Sequence, residues 1–196
     1  MLRVGGLTRC SASDYPGKLA AVVFCQGCAW RCGYCHNPHL LPARGKEELP
    51  WARVVSFLER RRGLLDAVVF SGGEPTLQSG LARAMREVKA MGFLVGLHTA
   101  GIVPRRLAEV LPLLDWVGMD VKAPFEEHER VSGKRGSASR ARASRELIRA
   151  SGVACEFHTV AADSVSSFAL VADRVDKHPI ARLVVGVKRQ VPGSSA

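Results

Sequence analysis

Six short apolar runs punctuate the chain: Ala20–Phe24, Ala67–Phe70, Phe93–Leu97, Trp116–Val121, Ala154–Val160 and Leu183–Val187. They are continuous rather than alternating, the pattern of parallel strands covered by helices on their faces. Helix-period segments lie between them. Trp51–Arg62 is stopped by Gly63, Gly80–Met91 puts Leu81, Ala84, Met85 and Val88 on one face, and Pro104–Leu114 carries Leu107, Val110, Leu111 and Leu114 at helical spacing. Ser139–Ser151 ends at Gly152, and Asp163 reads as the N-cap of a helix through Lys177. Strand and helix in repeated alternation predict an α/β fold with right-handed crossovers. Two closures satisfy the pattern, an open doubly wound sheet or an incomplete (β/α)6 barrel, and in both ligands gather at the C-terminal ends of the strands. At 196 residues the chain is read as one domain over 1–196, with a core over about 18–190.

The unusual polar residues all fall at that one end. A cysteine-rich loop follows the first run, Ser71-Gly72-Gly73-Glu74-Pro75 the second and His98-Thr99-Ala100-Gly101 the third. Asp120 and Lys122 close the fourth, and His158-Thr159 the fifth. One shared site accounts for all five.

The loop reads Cys25-Gln-Gly-Cys28-Ala-Trp-Arg-Cys32-Gly-Tyr-Cys35-His36-Asn37, and its last three cysteines are spaced C-x3-C-x2-C. That spacing lets three thiolates converge on one small inorganic object. On a 4Fe-4S cube three thiolates leave one iron open, whereas an electron-transfer cluster normally closes all four positions. The bland alternative is structural zinc, but four-cysteine zinc sites pair two knuckles a dozen or more residues apart, and this spacing leaves no room for two. Cys25 sits at the end of an apparent strand and reads as a small buried residue.

Other motifs are weaker alone. Gly72-Gly73 is either ordinary turn punctuation or bare backbone that a ligand approaches closely, with Glu74 following as a carboxylate for an ammonium group. Tyr34 is either core or a ring beside a purine. Asp120 and Lys122 alternate around Val121, so both point to one side of a buried strand, where charges are costly unless paired or bound to a ligand. His98 and His158 each fit a hydrogen-bonded core role equally well.

Composition bounds the rest. Charged residues are 23% and apolar residues 47%, a globular mixture, and the N-terminal segment has no apolar stretch of signal-peptide type, so a cytoplasmic protein with no membrane span is expected. The formal charge is +10, with much of the excess in 130–149. This is either a solvated helix and loop or a docking face for an acidic protein. No aromatic residues interleave with these cations as stacking platforms, which argues against nucleic acid.

Taken together, these residues resemble the radical S-adenosylmethionine (radical SAM) superfamily. In that superfamily C-x3-C-x2-C with an aromatic before the last cysteine binds a 4Fe-4S cluster, and a Gly-Gly-Glu segment holds the SAM amino group. Ser13-Asp14-Tyr15-Pro16-Gly17-Lys18, Gln26-Gly27-Cys28, Arg31-Cys32-Gly33-Tyr34-Cys35-His36-Asn37-Pro38 and Asp120-Val121-Lys122 are similar to the activases of glycyl radical enzymes. Within that group the chain most resembles the activating proteins of anaerobic ribonucleoside-triphosphate reductase, and pyruvate formate-lyase activating enzymes share most of these signatures.

The resemblance implies an incomplete parallel (β/α)6 barrel. It implies one cluster on Cys28, Cys32 and Cys35, with Tyr34 at the adenine and Gly72, Gly73 and Glu74 at the methionine end of SAM. Thr99, Asp120 and Lys122 would line the ribose and carboxylate side. It also implies an electron from flavodoxin or ferredoxin, reductive cleavage of SAM, and a glycyl radical on the partner enzyme. His98-Thr99 stands where related activases often carry Asp-Thr, which puts a cation site beside SAM in doubt. The rivals are a small-molecule radical SAM enzyme of the 7-carboxy-7-deazaguanine synthase kind and, from another class, a zinc-stabilised binding module.

Overall fold

The computed structural model describes residues 1–161 and 181–187. Seven strands form one sheet in chain order: β1 (Val4–Ser11), β2 (Ala20–Cys25), β3 (Ala67–Gly72), β4 (Leu94–Thr99), β5 (Trp116–Asp120), β6 (Ala154–Ala161) and β7 (Ala181–Val187). β2 to β7 pair in parallel, and β1 alone runs antiparallel, against β2. Among the described residues β7 does not pair back to β1, so the sheet curls without closing. This is the incomplete parallel barrel rather than the doubly wound sheet, since strand order never reverses.

Helices follow the strands on the outer face: α1 (Trp51–Glu59), α2 (Leu81–Ala90), α3 (Pro104–Val110), α4 (His128–Ser132) and α5 (Ser137–Ser151). α1 stops short of the expected Arg62 because its last turn loosens before Gly63, which takes φ +74°. α3 ends in a 3-10 turn over Leu111–Leu113, where Pro112 interrupts the ladder. The helix expected from Asp163 to Lys177 lies outside the described residues.

Both faces of the sheet are buried, and alternate residues of each strand serve different cores. Val68 and Phe70 of β3 join Ala21, Val23 and Cys25 of β2 in the outer core under the helices. Ala67 and Val69 instead meet Ala20, Val22, Tyr15 and Trp116 in a small inner core that plugs the barrel. The plug sits toward the N-terminal ends of the strands and leaves the lumen open at their C-terminal ends.

β1 was not expected. Val4-Gly5-Gly6-Leu7-Thr8-Arg9-Cys10-Ser11 lacks a continuous apolar run, as suits a bulged edge strand with register shifts. A Cβ on Gly5 would stand 2.4 Å from the Leu40 side chain and 2.5 Å from that of Gln26. Glycine there lets β1 lie against the loop that follows the cysteines.

Candidate active site

The loops after β2 to β6 enclose a cavity of about 440 Å³, within the range of small-ligand sites. Nine of the ten predicted site residues line it: Cys28, Cys32, Tyr34, Cys35, Gly72, Gly73, Thr99, Asp120 and Lys122.

Backbone contacts fix the cysteine loop. Gly27 N donates to Leu40 O (2.8 Å), Cys28 N to Leu41 O (3.1 Å), Arg31 N to Ser132 O (2.9 Å) and Cys35 N to Cys32 O (3.1 Å). The Arg31 guanidinium donates back to Cys28 O at 2.7 Å and Trp30 O at 2.9 Å, closing the loop's first turn. Gln26 is buried and donates to Pro42 O (2.7 Å) and His39 O (3.3 Å), anchoring the loop's return. Cys28, Cys32 and Cys35 are half-buried free thiols, whereas Cys25 is fully buried in the outer core. Burial, with Glu74 nearby, pushes the Cys28 thiol up to about 11, and burial raises Cys32 against the opposing pull of Lys122. Ligation of a metal by these groups therefore releases protons. Among the described residues no three His, Cys, Asp or Glu side chains close on a single ion position. Thiolates that each take a different iron of a cube do not require that convergence.

The glycine pair is locked to this loop. Gly72 adopts φ +109°, and a Cβ on it would stand 2.5 Å from Cys25 N. A Cβ on Gly73 would stand 2.3 Å from Gly27 O. Gly73 N donates to Cys25 O and Glu74 N to Gly27 O, each at 2.9 Å. The two motifs thus form one backbone unit, and the glycines are required by packing as well as by an open cavity wall.

Glu74 is the exception among the predicted residues. Its side chain is fully buried and lies off the cavity wall. Its carboxylate accepts from Thr76 N (3.0 Å), Thr76 Oγ1 (2.6 Å), Thr99 Oγ1 (2.7 Å) and Ala100 N (2.9 Å), tying β3 to β4 beneath the cavity. Burial raises its pKa, and those four donors oppose the rise. The side chain expected at the methionine end of SAM thus turns away from the cavity wall, just past the end of β3, toward two amide and two hydroxyl donors.

Asp120 and Lys122 share one side of the chain, as their alternation around Val121 predicts. Lys122 Nζ donates to Asp120 Oδ2 at 2.6 Å. Burial alone would raise the Asp120 pKa, but Lys122 and His158 outweigh it and hold the carboxyl well below the usual range. Lys122 is raised, because the attraction of Asp120 exceeds its own desolvation. The Tyr34 hydroxyl donates to Lys122 O at 2.8 Å, so its ring lines the cavity with its polar end committed. His98 Nε2 meets Asp14 O at 3.0 Å, and burial lowers its pKa.

Sequence reasoning left out cavity residues that the fold brings in, among them Trp30, Trp116 and Glu156. Glu156 had an available signal: two residues before His158 on a strand, it must share that residue's face.

Comparison with known proteins agrees with this geometry. The model of the Radical SAM superfamily matches residues 22–162. A Methanocaldococcus jannaschii protein, whose name assigns it to the glycyl-radical enzyme activating enzymes, is 37% identical over 131 residues, 64% of this chain and 52% of that protein. The pyruvate formate-lyase-activating enzyme of Clostridium pasteurianum is 33% identical over 144 residues, 69% of this chain and 60% of that enzyme. The chain thus spans a little over half the length of these relatives. Among solved structures, Streptococcus suis SuiB bound to S-adenosylmethionine superposes with a TM-score of 0.70 at 17% identity, over 86% of this chain and 40% of that one, a likeness of fold.

The chain belongs to the radical SAM superfamily. Its cofactors are those of the superfamily, S-adenosylmethionine and a 4Fe-4S cluster. The residues fit them: three free thiols from one loop open on a nucleoside-sized cavity whose wall includes a bare glycine backbone.

Proposed function

We propose that the chain is a glycyl radical enzyme activase acting on an anaerobic ribonucleoside-triphosphate reductase. The supporting observation is the convergence of the cysteine loop, the glycine pair and the Asp120–Lys122 pair on one cavity, in a chain whose relatives are named as activating enzymes. Cys28, Cys32 and Cys35 hold the cluster, and Tyr34, Gly72, Gly73, Thr99, Asp120 and Lys122 hold SAM, with Glu74 supporting from beneath. When bound, and with one electron from flavodoxin or ferredoxin, the cluster and SAM would supply the radical chemistry for removing a hydrogen atom from the partner's glycine.

The protein's part is positioning and exclusion of water. The inner plug of Tyr15 and Trp116 seals the lumen below, so a glycine loop enters from the C-terminal ends of the strands. The chain's net charge of +10 favours an acidic partner, steered most strongly at low salt. A cytoplasmic setting suits three unpaired thiols. No helix of the described residues is long and apolar enough to cross a membrane.

Mixed anaerobically with the reductase of its own organism, SAM and a reductant, the protein is expected to generate a doublet glycyl radical signal by electron paramagnetic resonance. The names of the relatives favour a second reading, a pyruvate formate-lyase-like partner. A signal with that partner and none with the reductase would transfer the assignment. Silence with every glycyl radical enzyme of the organism would leave a small-molecule substrate.

A further inference from the structure

A line of alternating charge crosses the cavity, and its far half lies beyond the residues proposed to hold SAM. Glu156 and His158 lie two residues apart on β6 and so share its lumenal face. His158 Nε2 stands 3.2 Å from Glu156 Oε2, and His158 Nδ1 stands 3.5 Å from Asp120 Oδ1. Lys122 holds the other Asp120 oxygen at 2.6 Å. The order is carboxylate, imidazole, carboxylate, ammonium, and both Asp120 oxygens have partners before any ligand arrives.

The packing around this line is specific. Gly118 lies between His98 on β4 and Glu156 on β6 in the sheet register. A Cβ on Gly118 would stand 2.7 Å from the Trp116 ring, 2.8 Å from His98 Nδ1 and 2.9 Å from His158 Cε1. Only a glycine there lets the two imidazoles and the indole pack together over the plug. His98 is spent on Asp14 O, which leaves His158 as the imidazole free to serve Asp120.

We propose that Glu156 and His158 are positioning residues that hold the Asp120 carboxylate toward S-adenosylmethionine. The proposal rests on the reading that Asp120 faces that cofactor, and it is independent of the partner enzyme. Burial alone would lower the His158 pKa, but Asp120 and Glu156 outweigh it and raise the value, so the imidazolium is favoured. The groups facing His158 are Asp120 and Lys122 from the end of β5, Glu156 on its own strand, and His98 with Asp14 behind it. Across the β6–β7 register, Arg182 stands opposite Glu156 and Val184 opposite His158. Without the imidazolium, Glu156 and Asp120 become two carboxylates in one lumen, and Asp120 loses the contact that fixes its outer oxygen.

The test is SAM affinity of the cluster-loaded protein, measured by equilibrium dialysis across neutral and mildly alkaline pH. A raised imidazole pKa means the binding-competent charge is present at low pH and lost as pH rises through that value. Wild-type affinity should therefore fall with rising pH. Glu156→Gln removes one of the two carboxylates stabilising the imidazolium, so its fall should begin at lower pH. His158→Gln should bind SAM on the order of tenfold more weakly at neutral pH and lose this inflection, with cluster content unchanged. SAM's own titration is common to all three proteins and cancels in the comparison. An inflection unmoved in Glu156→Gln overturns the proposal, and so does His158→Gln binding within about twofold of wild type throughout. Glu156→Gln carries the test alone if His158→Gln does not fold. Absence of any glycyl radical signal from the wild type, with these binding differences intact, would sink the activase reading and leave the positioning pair standing.

Discussion

The hydroxyl of Tyr34, between Cys32 and Cys35, donates to the backbone carbonyl of Lys122 just past the end of β5 across 2.8 Å. This is a direct tie between the cysteine loop and the opposite wall of the cavity, 88 residues away in sequence. Tyr34→Phe keeps the ring and removes the tie. A net hydrogen bond of this kind contributes about 1 kcal/mol. The expected outcome is intact cluster content with SAM affinity lowered several-fold, measured by dialysis, because Lys122 and Asp120 lose their reference to the loop.

Glu74 gives a prediction of a different kind, since its carboxylate is structural. Glu74→Ala leaves the Thr76 and Ala100 amides and two hydroxyls without their acceptor and opens a cavity, at a cost of about 3 kcal/mol or more in urea unfolding. Glu74→Gln tests the electrostatics. The folded-state pKa of Glu74 is raised by burial, so its contribution to stability is fully present below its unfolded value and is lost as pH rises through the folded value. Gln does not titrate. The stability advantage of wild type over Glu74→Gln should therefore shrink from acidic toward neutral pH, and an advantage that grows over that interval would refute the assignment of burial as the dominant influence.

The contrast between Glu74 and Asp120 shows what the sequence discloses and what it hides. Both follow buried strands at the same end of the sheet, and sequence reading placed both at the site. The period of two around Val121 forced Asp120 and Lys122 to one side, and they are there. No such periodicity constrains Glu74, whose direction depends on donors from Thr99 and Ala100, contributed by a different strand and visible only once β3 and β4 are paired. The parallel strands were legible because both of their faces are apolar. β1 was not, because this edge strand has no apolar run and lies against the loop through Gly5, whose close approach to Leu40 and Gln26 leaves no room for a side chain. Helix α4 was missed for a related reason: five residues carry too little periodicity to register.

Gly73 couples the two motifs most tightly. Gly73→Ala would drive a Cβ to 2.3 Å from Gly27 O, and backbone cannot yield as a side-chain tip can. Either the Gly73–Glu74 backbone or the segment leading into Cys28 must shift, and the hydrogen bonds joining them at 2.9 Å shift with it. Loss of more than about 2 kcal/mol in unfolding is expected, together with reduced cluster retention during anaerobic gel filtration. Gly63→Ala provides the contrast. Its φ of +74° carries strain, but no atom lies within 4 Å of the added Cβ, so stability should fall by about 1 kcal/mol with cluster retention unchanged.

The four loop cysteines separate into two roles by burial. Cys25 ends β2, pairs with Gly72 across the sheet and is enclosed in the outer core, where burial raises its thiol pKa far above the usual range. A thiol so placed is a packing group, and ionising it toward a metal would strip the core around it. Cys28, Cys32 and Cys35 instead open on the cavity from a loop braced by Leu40, Leu41 and Ser132. After anaerobic reconstitution, alanine at any of these three positions should abolish the cluster, read as bound iron, sulfide and visible absorbance, because each supplies one of only three thiolates. Cys25→Ala should retain most of the cluster and lose about 1 kcal/mol of stability from a slightly underfilled core. Equal loss of iron in Cys25→Ala and Cys28→Ala would establish four-thiolate ligation and overturn the reading of three thiolates with one iron left open.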